Sequence, residues 1–169
     1  MYKSVAIYMV SAVLAIAAAM AASYVYMTVT VSGSGMEPVL YDGYKVLVNK
    51  LAFEEHGDSP QVGDLVAFRS DVYGEEGEGS ILVRRVAGAA GDTVEIKDGM
   101  FYLNDKPYQE YMKESVHMDD MARMRLDSDE LFVLSDNRKS SMDSRNEAIG
   151  VLNIKDCVGK VTMKWRGIT

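Results

Sequence analysis

Val5-Ala-Ile-Tyr-Met-Val-Ser-Ala-Val-Leu-Ala-Ile-Ala-Ala-Ala-Met-Ala-Ala-Ser-Tyr-Val-Tyr-Met27 runs for 23 residues without a charge, and Thr28-Val-Thr-Val31 follows it at once with polar and apolar residues alternating. The two patterns demand different structures. As a helix the first stretch rises about 34 Å, enough to cross a hydrocarbon core of roughly 30 Å. Tyr24 and Tyr26 fit an interfacial aromatic belt. Two other readings compete with a retained anchor. One is a cleaved signal peptide, because Ala-x-Ala sequences occur between Ala17 and Ala22; the run is longer than the usual apolar core of about 7–15 residues. The other is a buried helix. Lys3 and the amino terminus place the N-terminus in the cytoplasm by the positive-inside rule, and the rest of the chain outside.

Beyond Met27 the grain is extended. Tyr44–Asn49, Leu65–Phe68, Ile81–Val86, Thr93–Ile96, Met100–Leu103, Leu131–Leu134 and Gly159–Trp165 read as short strands. Asp42-Gly43, Gly63-Asp64, Asp98-Gly99 and Asn104 to Pro107 supply turn chemistry between them. Lys97-Asp-Gly-Met100 between two alternating runs predicts a hairpin. Residues 108 to 128 are expected to include a short helix, and Tyr73-Gly-Glu-Glu-Gly-Glu-Gly-Ser80 to be a loop. The organisation expected is therefore residues 1–27 as cytoplasmic tip and transmembrane anchor, and 28–169 as one mainly β extracytoplasmic domain.

Composition excludes several classes. The chain has 169 residues, 48% of them hydrophobic, and a net charge of −7. That is one packed domain rather than a disordered chain. Beyond Lys3, 17 basic residues stand against 25 acidic ones, so no nucleic acid partner is expected, because phosphate neutralisation needs a basic face. A single cysteine, Cys157, excludes an intrachain disulfide and a Cys-rich zinc site. His56 and His117 lack metal-ligand spacing, so neither a metal nor a cofactor is expected.

Three segments carry the chemistry: Ser32-Gly-Ser-Gly-Met-Glu-Pro-Val-Leu40, Val83-Arg-Arg-Val-Ala-Gly-Ala-Ala-Gly-Asp92 and Leu134-Ser-Asp-Asn-Arg-Lys-Ser-Ser-Met-Asp-Ser-Arg145. In this order, behind an apolar N-terminal run, they resemble the motifs of the type I signal peptidases, membrane-bound serine endopeptidases that use a Ser–Lys dyad. The resemblance spans nearly the whole chain. It implies a signal peptidase-type fold of coiled antiparallel β-sheets with one N-terminal transmembrane helix, and a second, cap-like β-region reduced to residues near 100 to 130.

The departures are as informative as the matches. The resemblance puts the nucleophilic serine just before Met36, where this chain has Gly35, and the general-base lysine just before Arg85-Val86, where it has Arg84. Glycine has no side chain with which to attack. Arginine stays protonated in proteins and cannot take a serine proton, whereas a buried lysine can be neutral near pH 7. Ser34 is the nearest substitute nucleophile, with Ser32 beside it. In an extended segment, however, a one-residue shift turns the side chain to the other face, and a base is still wanting. His56 and His117 are the remaining bases; eukaryotic relatives use His, but at the place filled here by Arg84.

The resemblance further implies a substrate groove made by Gly33, Ser34, Met36, Pro38 and Val83, with Met36, Pro38 and Leu40 as an apolar floor or membrane-facing lip. Ser141 matches the serine that bonds the base lysine. Arg85, Asp143 and Arg145 match a structural salt-bridge cluster, and Asp136, Asn137 and Arg138 match the loop beside it, with Ser135 replacing a glycine. If the groove is kept, Arg84 lies at its floor and must find partners in the Ser141 hydroxyl, in main-chain carbonyls, or in Asp143 where that carboxylate is not committed to Arg145. Two functions follow. One is a dyad-less, non-catalytic accessory factor, such as those that work with sortases and pilins in pilus polymerisation in Gram-positive bacteria, holding a secreted polypeptide. The other is an active signal peptidase cleaving after Ala-x-Ala.

Overall fold

A 24-residue helix, α1 (Tyr2–Val25), leads into strand β1 (Tyr26–Thr30) with no intervening linker. The computed structural model describes residues 2–54, 59–71, 80–108, 116–140 and 142–166. The apolar stretch Ser4–Val25 has a mean hydropathy of 2.3, and none of it is buried. The buried-helix reading is thereby corrected, since among the described residues no other element covers α1. Lys50 fixes the junction: its backbone N–H donates to Val25 O (2.8 Å), its ammonium donates to Ser23 O (2.8 Å), and the same ammonium lies 5.9 Å from the centre of the Tyr24 ring. A cation at a helix C-terminus satisfies carbonyls that the helix cannot.

The remaining strands are β2 (Lys45–Asn49), β3 (Leu65–Ser70), β4 (Ser80–Gly88), β5 (Thr93–Lys97), β6 (Met100–Leu103), β7 (Lys106–Pro107), β8 (Met121–Arg125), β9 (Glu130–Leu134), β10 (Leu152–Asn153) and β11 (Cys157–Trp165). They form a seven-stranded sheet in the order β1-β2-β11-β3-β4-β9-β10 and a four-stranded sheet in the order β7-β6-β5-β8, antiparallel at every pairing. The fold is thus mainly β with one N-terminal apolar helix. The expected hairpin is present: Lys97 pairs with Met100, and Asp98 (φ 52°) and Gly99 (φ 75°) turn the chain between them, as a two-residue loop with both central φ positive requires.

Strand alternation sorts the side chains into two faces. On the large sheet, Val29, Val46, Val48, Ala67 and Val83 gather on one side with Met36 and Leu40, while Val66, Phe68, Val86, Leu131 and Val133 gather on the other. The small sheet closes over a third cluster in which the Phe101 and Phe132 rings stack with centroids 5.7 Å apart. Met36 (1% exposed) and Leu40 (0% exposed) are core residues, so their assignment to a groove floor or lip is corrected; Leu40 N donates to Met36 O and folds both inward.

Two further expectations change. Within residues 108 to 128, Met121–Arg125 is a strand on the edge of the small sheet rather than helix, paired with β5; residues 109–115 lie outside the described residues, as does the 72–79 stretch read as a loop. The motif after Val31 is not extended. Residues 33–39 are bends and turns, with Gly33 at φ 78° and Glu37 N bonded to Ser34 O, so period-two reasoning does not apply to Ser34 and Gly35.

Two glycines permit close approaches of different kinds. A Cβ on Gly159 would lie 2.1 Å from Asn49 O, a backbone atom, at φ 154°; one on Gly88 would lie 2.7 Å from the end of Val94. Backbone cannot yield where a side chain can. Gly159→Ala is expected to cost about 2–4 kcal/mol of stability and Gly88→Ala about 1–3, so thermal unfolding of the two variants in detergent should give a lower midpoint for Gly159→Ala.

Candidate functional site

The first motif forms a turn, the second is β4, and the third is the loop that leaves β9; the fold brings all three together. Asn137 makes the junction. Its backbone N–H donates to Gly35 O (2.9 Å) and its side-chain amide to Ser34 O (3.2 Å). Asn137 O accepts from Ser140 N (2.9 Å), so the loop closes on itself over Gly35.

Arg84 and Arg85 are consecutive on β4 and therefore project to opposite faces, yet the same loop meets both. Arg85 donates from Nε to Asp136 Oδ1 and from Nη2 to Asp136 Oδ2, each at 2.7 Å, and from Nη1 to Gly63 O at 2.7 Å. Asp136 is 3% exposed and Arg85 7%, making this a buried bidentate pair. A second pair forms further along the loop. Arg145 Nε donates to Asp143 Oδ1 (2.8 Å) and Nη2 to Asp143 Oδ2 (2.6 Å), while Asp143 Oδ2 also accepts from Ser135 N (2.8 Å). Arg145 Nη1 reaches Arg138 O (3.0 Å) and Nη2 reaches Ser140 O. The single cluster expected is thus two separate ion pairs, Arg85–Asp136 and Arg145–Asp143.

Arg84 is 6% exposed and finds main-chain carbonyls: Nε donates to Met142 O at 2.5 Å and Nη1 to Val83 O at 2.6 Å. Asp143 is committed to Arg145, and among the described residues Arg84 makes no ion pair. Burial lowers the Arg84 pKa, and the nearby Asp143 charge opposes that shift. Ser141, the other expected partner, lies outside the described residues. The Val83 carbonyl is significant because of its direction. Val86 exchanges hydrogen bonds with Gly63 and Asp64 on the β3 side, so the N–H and C=O of residues 85, 83 and 81 face the other edge. There β9 pairs with residues 85, 86 and 88, so among the described residues the edge at Val83 has no strand beside it, and its carbonyl accepts from Arg84.

Directly over Gly35, the position a Cβ would take is 3.3 Å from Arg84 Nη2, 3.4 Å from Arg84 Cζ and 3.3 Å from Ser140 Oγ. The guanidinium packs against a bare Cα. Ser140 is a neighbour of Gly35 that the motif match did not name; Ser141, which it did, lies outside the described residues. Of the expected groove residues, Gly33, Ser34 and Pro38 are exposed, whereas Met36 and Val83 (3% exposed) turn their side chains into the core and offer only backbone, a correction. Ser34 Oγ has no hydrogen-bond partner among the described residues. His117 packs on Gly99 at the β5–β6 turn, and His56 lies outside the described residues.

Arg138 is the fourth arginine of the region. It is 4% exposed, its Nε and Nη1 have no hydrogen-bond partner, and burial lowers its pKa to about 10. A cavity of about 300 Å³ beside it is lined by Glu37, Pro38, Tyr41, Asn137, Arg138 and Lys139, among others. A separate cavity of about 850 Å³ is lined by residues of β3, by Ala148–Leu152 and by Lys155–Val158. Its cysteine is not activated: burial, with Asp156 adjacent, pushes the Cys157 thiol up to about 12, where it is a poor nucleophile.

The sequence profile described as Signal peptidase, peptidase S26, matches residues 3–166. Signal peptidase I P of Bacillus subtilis subsp. natto is 33% identical over 147 residues, covering 81% of this chain and 75% of the relative. Thylakoidal processing peptidase 1, chloroplastic, of Arabidopsis thaliana is 30% identical over 142 residues, 80% of this chain and 41% of that protein. A crystal structure of a signal peptidase I from Enterococcus faecalis V583 aligns with a TM-score of 0.49 at 26% identity, over 62% of this chain and 98% of the other.

Two outcomes follow from the geometry. Asp136→Ala strands Arg85 as a buried, unpaired charge and is expected to cost about 3–5 kcal/mol. Asp105→Ala, which removes the exposed pair with Arg123, is expected to cost under about 1 kcal/mol; denaturant midpoints of the two variants give the comparison. For Cys157, the folded pKa is raised from 9.0 to about 12, so between these values the unfolded chain binds fewer protons and stability falls as pH rises. At pH 8 the native thiol should react with iodoacetamide far more slowly than the thiol of the denatured chain.

Proposed function

The chain belongs to the S26 signal peptidase family, and from that membership we propose that it is a non-catalytic member, a membrane-anchored protein that holds an extended segment of secreted polypeptide without cleaving it. In this reading α1 is a single-pass anchor with its N-terminus in the cytoplasm, and residues 28–169 act outside the membrane. The observation that carries the reading is the contact between Gly35 and Arg84. The position matched to the nucleophile has no side chain, and its space is covered by the guanidinium that stands where the base would be. That guanidinium is held by Met142 O and Val83 O, so the group over Gly35 at the place matched to the base is a cation that accepts no proton. The backbone edge at Val83 and the exposed turn at Gly33, Ser34 and Pro38 form the polypeptide seat. Among secreted polypeptides we favour a pilin segment presented to a sortase, the accessory role that the resemblance offers.

A second reading is favoured by the relatives' names: the chain is an active signal peptidase. It would need Ser34 as nucleophile, at a position one residue from the matched one, together with a base.

The test is cleavage of a pre-protein with an Ala-x-Ala site by the purified full chain. No cleavage is expected. Cleavage at family-like rates that Ser34→Ala abolishes would establish the second reading. Because the carbonyls around residue 84 are spaced for a guanidinium, the double variant Gly35→Ser with Arg84→Lys should regain activity at least about 10²-fold below that of a family peptidase, since small misplacements within one catalytic unit are costly and not additive.

A further inference from the structure

The region around Gly35 contains more positive charge than it neutralises. Arg84, Arg85, Arg138 and Arg145 bring four guanidinium groups to a site whose buried carboxylates are Asp136 and Asp143. Both carboxylates are committed, Asp136 to Arg85 and Asp143 to Arg145. Arg84 and Arg138 therefore stand without a carboxylate among the described residues. This occurs in a chain of net charge −7, where surplus anions are plentiful. A buried charge without a counter-charge costs several kcal/mol, and Arg138 also leaves Nε and Nη1 without acceptors. Such donors are expensive to leave unbonded.

The position of this surplus is functional rather than scattered. Arg138 follows Asn137, the residue bonded to Gly35 O and Ser34 O. Both lie on the wall of the cavity of about 300 Å³ that opens beside the motif turn at Glu37 and Pro38. The same wall carries Glu37, Asp136 and Lys139; Asp136 is committed to Arg85, which leaves Glu37 facing the two cations Arg138 and Lys139.

We propose that this cavity receives a carboxylate side chain, aspartate or glutamate, of the bound polypeptide, contacted by Arg138 and attracted by the uncompensated charge of Arg84. The inference rests on the reading that the site holds a polypeptide, and it names the feature recognised. The guanidinium fork suits a planar carboxylate. Nε and Nη1 of Arg138 are closed to water in the free chain, so contact requires its side chain to turn toward the cavity, a change between staggered rotamers.

The experiment compares two fluorescein-labelled heptapeptides of alanine and valine, one with a central glutamate and one with glutamine there, by fluorescence anisotropy with the full chain in detergent. The glutamate peptide is expected to bind about tenfold tighter, the scale of one charge-assisted hydrogen bond, with an advantage that shrinks as salt is added. Arg138→Gln should bring the two affinities together, the glutamate peptide losing the larger share. Equal binding of both peptides to the unmodified protein overturns the carboxylate site and leaves the polypeptide reading standing. An unchanged preference in Arg138→Gln overturns the assignment to Arg138. Failure of either peptide to bind at any concentration overturns both readings. Should Arg138→Gln fail to fold, the comparison on the unmodified protein decides.

Discussion

The loop from Ser135 to Arg145 has to reach both faces of β4, and the buried pair between Arg85 and Asp136 is what holds it there. Both carboxylate oxygens and two guanidinium nitrogens are used, and the third nitrogen ties the pair to Gly63 at the start of β3. Three segments distant in sequence are thereby fixed to one another by direct bonds. Once Asp136 is anchored, Asn137 can bond only to what lies next to it, which is the turn at Ser34 and Gly35. The return of the loop then brings Met142 O to Arg84 on the opposite face. The Arg145–Asp143 pair braces that return from within. The geometry at Gly35 is thus a consequence of an ion pair that never touches it.

Replacing a titratable cation by a permanent one changes what such a site can do. A lysine in a dry pocket can shed its proton and serve as a base. Burial lowers the Arg84 pKa as well, but arginine starts so high that it remains charged at neutral pH. What burial cannot achieve in neutralising the group, hydrogen bonding must offset. The carbonyls of Met142 and Val83 do so in part, and the Val83 carbonyl is the acceptor on an otherwise unpaired strand edge. The same side chain therefore removes a base and alters the edge that an extended partner would meet.

Much of the fold was legible because strand alternation and turn chemistry are local signals. The strands centred on Val46, Ala67, Val83, Ile96, Phe132 and Val161 were read within two or three residues of their observed ends. Met121–Arg125 was not. Its Met-Ala-Arg-Met-Arg sequence has no β-branched residue, and its pairing with β5 is tertiary. The two-residue strands β7 and β10 are too short to carry a period. The helix ends at Val25 and the strand begins at Tyr26, whereas hydropathy placed the change after Met27, because Tyr-Met suits either element. At the site, motif order identified Gly35, Arg84 and the two acidic residues. It did not reveal that Met36 faces the core, since a turn with Gly33 at positive φ resets which side each residue presents, nor that Val83 does, since either face of β4 could have been the buried one. Nor did it reveal that Arg85 takes Asp136 rather than Asp143, a choice made by the path of the loop.

Gly35 and Arg84 are best understood as one packing unit. A side chain at 35 would meet the guanidinium at 3.3–3.4 Å, so the guanidinium would have to shift by a few tenths of an ångström against the carbonyl bonds that hold it. Shortening the residue at 84 to lysine over Gly35 would withdraw atoms from both sides of the same space and leave a gap with unbonded carbonyls around it. Each single change toward a serine–lysine arrangement is therefore opposed by the residue left behind, one by crowding and the other by lost contacts. Only the concerted change restores the volume, and it still leaves the second ammonium-sized problem unsolved. Met142 O and Val83 O remain spaced for a guanidinium, and an amine placed among them is not thereby held where a serine at 35 could pass it a proton.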